Sequence, residues 1–144
     1  MSTPDQPTGP PGMAGVARRW GGQAVVVVLA DEAPLLRRQL LLALEAHPRI
    51  EVAAEAPDGD VLADVVARLQ PHVVVLGVNL PPDGAGPALA AARRAHGPLS
   101  AAVITDPARA QGGLPLPGVA TVSLTDVAER LADTVVTLAD ERRV

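Results

Sequence analysis

The chain has 144 residues, with 12 cationic and 16 acidic side chains, a formal net charge of −4 and no cysteine. This length suits one domain with a single core, and the lack of cysteine excludes disulfides, thiolate metal sites and thiol catalysis. The negative charge provides no basic surface, so we expect no direct nucleic-acid binding by this domain. Every cationic residue is an arginine, which also excludes lysine-dependent chemistry.

The N-terminal stretch differs in composition from the rest of the chain. Residues 1–22 are rich in Pro and Gly and contain no apolar run. Such a segment cannot bury enough apolar surface to offset its ordering entropy, which predicts a disordered tail at 1–22 and one domain at 23–144. The chain has neither a secretory signal pattern nor an apolar run long enough for a bilayer, so we expect a cytoplasmic protein without membrane contact.

Apolar runs and helix-period repeats alternate along the rest of the chain. Continuous β-branched runs predict strands that are covered on both faces, and the repeats between them predict amphipathic helices. Pro34 suits the first turn of the first helix, Asp58 is a candidate cap for the second, and Thr125 or Asp126 for the last. The predicted strands are 25–30, 50–55, 73–77, 101–105 and 119–124, and the helices begin near 34, 59, 85 and 126.

The segment 107–118 departs from this alternation. It contains two adjacent glycines and three prolines, which argues against a regular helix there beyond a short turn. Elsewhere the β-α order predicts parallel strands with right-handed crossovers, and therefore an α/β fold.

Ligands bind in such sheets at the carboxyl edge of the strands. The residues expected to gather there are Asp31, Glu32, Gly77 and Thr105, together with Asp83 and Asp106. The three histidines lie at element ends without metal-ligand spacing, and we interpret them as surface residues. Paired arginines are interpreted as solvated faces.

The order and spacing of several short motifs resemble the response-regulator receiver domain, nearest the branch whose output is a LuxR-type helix-turn-helix. The matching stretches are Val28-Leu-Ala-Asp-Glu-Ala-Pro34-Leu-Leu-Arg37, Glu51-Val-Ala-Ala-Glu55 before Asp58-Gly59, Leu80-Pro81 before Asp83-Gly84, Thr105, and the segment from Gly118 to Asp126. The resemblance implies a flavodoxin-like, five-stranded parallel sheet of order 2-1-3-4-5 with helices on both faces. The fourth helix of the family would here be degenerate or missing.

Receiver domains carry an acidic pair that binds Mg²⁺, an aspartate that accepts a phosphoryl group, a hydroxyl, a lysine and a switching aromatic residue. The resemblance assigns the acidic pair to Asp31 and Glu32 and the hydroxyl to Thr105. The acceptor position is Gly77, the lysine position Thr125 and the aromatic position Val122. Glycine cannot act as a nucleophile, and the parts that neutralise and position a phosphoryl group are mostly gone. Asp31 and Glu32 could still bind Mg²⁺ or could form a solvated acidic patch.

These departures predict an atypical receiver that works without phosphorylation and is not an enzyme. We expect a protein-interaction module in two-component signal transduction and transcription control, with a helix-turn-helix output domain in the full-length or partner protein. A homodimer through the first and last helices is a further expectation. The alternative is a receiver that senses a small molecule, because replacing aspartate by Gly77 leaves room at the carboxyl edge.

Overall fold

The computed structural model describes residues 24–106 and 118–143. The expected tail at 1–22 and the expected loss of the fourth helix at 107–117 lie outside these residues. The strands are β1 (Val25–Ala30), β2 (Ile50–Ala56), β3 (Val73–Gly77), β4 (Ser100–Thr105) and β5 (Val119–Ser123). The helices are α1 (Pro34–Glu45), α2 (Gly59–Leu69), α3 (Ala85–His96) and α4 (Ala132–Arg143).

The five strands form one parallel sheet in the order β2-β1-β3-β4-β5, which confirms the α/β prediction and its strand order. Alternate residues of the strands face opposite sides. Val27 and Val75 belong to a core cluster that includes residues of α1 and α4, whereas Val28 and Val74 belong to a second cluster that includes residues of α2 and α3. A sheet covered on both faces requires strands that are apolar at every position, as β1 and β3 are.

The termini of the helices follow the sequence signals with one exception. Asp58 caps α2 by accepting a hydrogen bond from the Val61 amide at 2.8 Å, and Pro34 opens α1. Thr125 or Asp126 was expected to cap the last helix. Asp126 lies at the N-cap position of the π-helical segment (Val127–Leu131) that leads into α4, but its side chain makes no capping hydrogen bond. Ser123 caps the preceding 3₁₀ turn (Leu124–Asp126), because its hydroxyl accepts a hydrogen bond from the Thr125 amide.

Two interpretations of polar residues are corrected by packing. His72 is half-buried and its Nδ1 accepts a hydrogen bond from the Val26 amide at 2.8 Å, while Nε2 of His96 lies 3.1 Å from the carbonyl oxygen of Pro71. In the pairs at 37–38 and 93–94 only the second arginine is exposed. Arg93 is half-buried and donates to the carbonyl of Leu99. These residues therefore tie loops to the sheet instead of forming only a solvated surface.

No helix among the described residues is long and apolar enough to cross a membrane.

Candidate functional site

The carboxyl ends of β1, β3 and β4 meet at a cavity of about 200 Å³. Parallel strands deliver their last residues to the same edge, so residues that are far apart in the sequence become neighbours there. The structure brings together Asp31, Glu32, Gly77, Thr105 and Asp106, as the sequence predicted. The remaining lining residues are Ala33, Leu36, Val78, Asn79, Leu80, Ile104 and Leu124. Asp83 does not line this cavity; it lies in a separate groove beside α2 and α3.

Gly77 ends β3 and is buried, with Ile104 of β4 as its pairing partner. A Cβ atom built on Gly77 would overlap the Oδ2 atom of Asp31 and lie 3.3 Å from its Cγ. The Asp31 carboxylate therefore occupies the space that a side chain at position 77 would need. Because real Cβ atoms do not approach other atoms so closely, any larger residue at 77 requires Asp31 to move.

Asp31 is only 6% exposed and is held from both its side chain and its main chain. Its Oδ1 accepts a hydrogen bond from the Ala33 amide at 2.8 Å, and its carbonyl accepts one from Arg37 Nη1 at 2.7 Å. Arg37 also donates from Nε to Glu55 at 2.9 Å, so it joins the loop after β1 to the end of β2. No described residue donates to Oδ2 of Asp31.

Burial raises the pKa of the Asp31 carboxyl above its ordinary value of 3.8. The Ala33 amide opposes this shift because it stabilises the ionised form, the negative charge of Glu32 adds to it, and Arg37 again opposes it. The net direction is upward, so the folded domain binds a proton at Asp31 more tightly than an exposed aspartate would.

The positions that the resemblance assigns to the hydroxyl, the aromatic residue and the lysine differ in whether they line the cavity. Thr105 is half-buried at the end of β4 and lines the cavity. Val122 is 4% exposed and packs in the core cluster that includes residues of α1 and α4, and Thr125 is exposed with its hydroxyl 3.0 Å from that of Ser123. Neither Val122 nor Thr125 is among the residues that line the cavity.

The two acidic side chains assigned to Mg²⁺ lie in different surroundings. Mg²⁺ requires near-octahedral oxygen coordination, usually by one or two carboxylates and several waters. Oδ1 of Asp31 accepts a hydrogen bond from the Ala33 amide, and Oδ2 is turned over Gly77. Glu32 is exposed. Within 24–106 and 118–143, no group of three or more His, Cys, Asp or Glu side chains is placed to hold a metal ion.

Sequence reasoning missed the apolar wall of the cavity and the role of Arg37. The sequence pattern predicts that Leu36 is a core residue of the first helix and that Leu124 is a core residue at the end of the fifth strand. Nothing in their spacing indicates that they border a space beside Asp31. The signal that could have found the cavity is Gly77 itself, because a buried strand residue without a side chain leaves space that a neighbour must fill.

No protein-family model matches the chain. The protein-glutamate methylesterase/protein-glutamine glutaminase 2 of Anaeromyxobacter dehalogenans is 38% identical over 61 residues, which are 42% of this chain and 18% of that protein. The chain spans a quarter or less of the length of the curated relatives it matches.

Solved structures match over most of the domain. The signal receiver domain of the response regulator NarL from Mycobacterium tuberculosis has a TM-score of 0.69 and 22% identity, with 81% of this chain and 97% of that chain covered. A DNA-binding response regulator of the LuxR family from Staphylococcus aureus has a TM-score of 0.64 and 20% identity, with 80% and 98% covered. The resemblance to receiver domains is thereby confirmed at the level of the fold.

Proposed function

We propose, from the premise that this chain has the response-regulator receiver fold, that it is a phosphorylation-independent receiver. It serves signal transduction and transcription control as a regulatory interaction module and not as an enzyme. The observation that carries the proposal is the pair Gly77 and Asp31. The acceptor position has no carboxylate, and the space beside its Cα is filled by the Asp31 side chain.

The surroundings of this pair also favour the proposal. Phosphoryl transfer depends on positive charge and on a positioned nucleophile, and none of the described residues that line the cavity carries a positive charge. Thr125, at the lysine position, is exposed and bonded to Ser123. Val122, at the aromatic position, is fixed in the core and has no ring to move between two packing states. Of the positions that the resemblance assigns to phosphoryl binding and switching, Thr105 keeps a hydroxyl that could contact a phosphoryl oxygen.

The proposed module is cytoplasmic and acts through a helix-turn-helix output domain of the full-length or partner protein. We place its homodimer contact on α1, because Leu35 and Leu42 are 83% and 54% exposed and lie seven residues apart, on one face of that helix. Sedimentation equilibrium should show that changing both leucines to Gln weakens self-association, while Leu69→Gln, an exposed leucine on α2, does not. Self-association that is unchanged by the α1 substitutions would exclude this face.

The direct test is intact-mass analysis after incubation of the full chain with acetyl phosphate and Mg²⁺. A receiver with an intact acceptor aspartate serves as the positive control. We expect no phosphoryl adduct on this chain, because neither Gly77 nor Asn79 can attack phosphorus. A stoichiometric, Mg²⁺-dependent adduct would overturn the proposal.

The cavity favours the second candidate function, a receiver that senses a small molecule. The cavity of about 200 Å³ is lined by Gly77, the position that the resemblance assigns to the phosphoacceptor, and by Thr105.

A further inference from the structure

The start of the last helix has an irregular backbone. Between β5 and α4 the chain forms a 3₁₀ turn (Leu124–Asp126) and then a π-helical segment (Val127–Leu131). π-helical turns are rare, and they occur mostly inside α-helices and frequently at functional sites. The segment is well packed, because Val127 and Leu131 are buried. Its irregularity is therefore part of the packed domain and not the fraying of a free helix end.

The sequence contains a signal for a different, regular start of this helix. Asp126 is followed three residues later by Glu129, just before the apolar positions of the helix. This is the pattern of a capping box, in which the N-cap side chain accepts from the N3 amide and the N3 side chain reaches back to the N-cap amide. The observed structure does not use it, since the Asp126 side chain makes no capping hydrogen bond. Ser123 instead accepts from the Thr125 amide at 3.3 Å, so the chain carries caps for two alternative helix starts.

The two ends of this connection are held in place, so a change of helical register falls on the turn between them. β5 pairs with β4 as far as Ser123, whose partner is Thr105. At the other end, Asp140 of α4 accepts two hydrogen bonds from Arg49. A π-helical turn holds one residue more than an α-helical turn, because its hydrogen bonds join residues five apart instead of four. Conversion to an α-helix therefore transfers one residue into the turn 124–126.

Leu124 is the first residue of that turn and joins it to the cavity. Its side chain is half-buried, lines the cavity beside Gly77 and packs against the core cluster that includes residues of α1 and α4. A shift of one residue along a helix corresponds to about 1.5 Å of rise and about 100° of rotation. Such a shift is enough to remove a leucine side chain from one wall. The size of the cavity therefore depends on the register of the segment that follows β5.

We propose that residues 124–131 form a two-state element that opens and closes the cavity. In the observed state the segment is π-helical, Ser123 caps the 3₁₀ turn, and Leu124 forms part of the wall. In the second state the last helix begins as a regular α-helix after Asp126, which forms a capping box with Glu129, and the leucine leaves the wall. The inference goes beyond the proposed function, because it concerns the backbone that borders the cavity and requires no ligand.

Variants of the two caps test the proposal by acting in opposite directions. Ser123→Ala removes the cap of the observed turn and should shift the populations toward the α-helical state, whereas Asp126→Ala should shift them toward the π-helical state. Each substitution should change the ratio of the two states by about fivefold, the effect of losing one N-cap residue. Asp126→Asn keeps a side chain that caps well and should behave like the wild type. The matched control, Asp133→Ala, removes an exposed carboxylate of α4 and should leave the ratio unchanged.

The measurement is nuclear magnetic resonance of the full chain. Register shifts of helices occur in microseconds to milliseconds, so the amides of 124–131 should show relaxation dispersion in the wild type. We expect the methyl signals of Leu36, Ile104 and Leu124 to move in opposite directions along one line in the two alanine variants, because all three report one equilibrium. The amide signals of β1 and β3 should stay in place and show that each variant is folded.

Three results would overturn the proposal. The first is the absence of relaxation dispersion at 124–131 in the wild type, a result that does not depend on the folding of any variant. The second is a set of shifts that is confined to the neighbours of each substituted residue, or that moves the three methyl signals in the same direction in both alanine variants. The third is an Asp126→Asn chain that behaves like Asp126→Ala, because the side chain at this position would then have no capping role in either state.

Discussion

The close approach of Asp31 to Gly77 predicts that the effect of Gly77→Ala changes sign with the residue at position 31. In the wild-type chain the new Cβ overlaps Oδ2 of Asp31, so the carboxylate must move. We expect this movement to break the hydrogen bond from the Ala33 amide to Oδ1. In an Asp31→Ala chain the space is open. The added methyl group then only restricts the unfolded chain.

The magnitudes follow from these two effects. A hydrogen bond to a charged group contributes about 1.5–3 kcal/mol, and this is what the wild-type chain loses. Replacing Gly by Ala at a compatible backbone position gains about 0.4–1 kcal/mol through the unfolded state, and Gly77 does not have a positive φ. We therefore expect Gly77→Ala to lower the free energy of unfolding by about 1–2 kcal/mol in the wild-type chain and to raise it by about 0.5–1 kcal/mol in the Asp31→Ala chain.

Urea denaturation of the four chains of this double-mutant cycle measures the coupling between the two positions directly. Gly86→Ala is the matched control, because a Cβ at that helical position meets no atom within 4 Å and should stabilise both backgrounds equally. Equal effects of Gly77→Ala with and without Asp31 would refute the geometry inferred for the site.

Two further predictions concern the same network. The raised pKa of Asp31 means that the folded state binds a proton at this residue more tightly than the unfolded state does. The contribution of Asp31 therefore lowers the free energy of unfolding as the pH rises from 3.8 through the pKa of the folded state. Urea melts at several pH values should show Asp31→Asn gaining stability relative to the wild type over that interval, and a pH-independent difference would contradict the shift. Arg37→Ala should lower the free energy of unfolding by about 1 kcal/mol more than Glu55→Ala does. The arginine substitution removes the hydrogen bond to the Asp31 carbonyl as well as the ion pair with Glu55. Equal losses for the two variants would show that the bond to the carbonyl contributes nothing.

The sequence by itself determined the elements and their order. Apolar β-branched runs such as Val25–Ala30 can be satisfied only in a sheet covered on both faces, and the helix-period repeats between them require parallel strands. The absence of a nucleophile at Gly77 is also a property of the sequence alone, since glycine has no side chain to ionise. These features depend on residues that are close together in the chain, and for that reason their patterns could be read directly.

Only the tertiary structure decided how the carboxyl edge is filled. Arg37 bonds to Glu55 from 18 residues away, and Val26 to the ring of His72 from 46 residues away; no local pattern specifies such contacts. The same applies to the start of the last helix, where a 3₁₀ turn capped by Ser123 and a π-helical segment separate β5 from α4. Asp31 reads in the sequence as half of an exposed acidic pair. Its burial over Gly77 follows from the packing of β1 against β3, which brings a carboxylate to the one strand end that has no side chain.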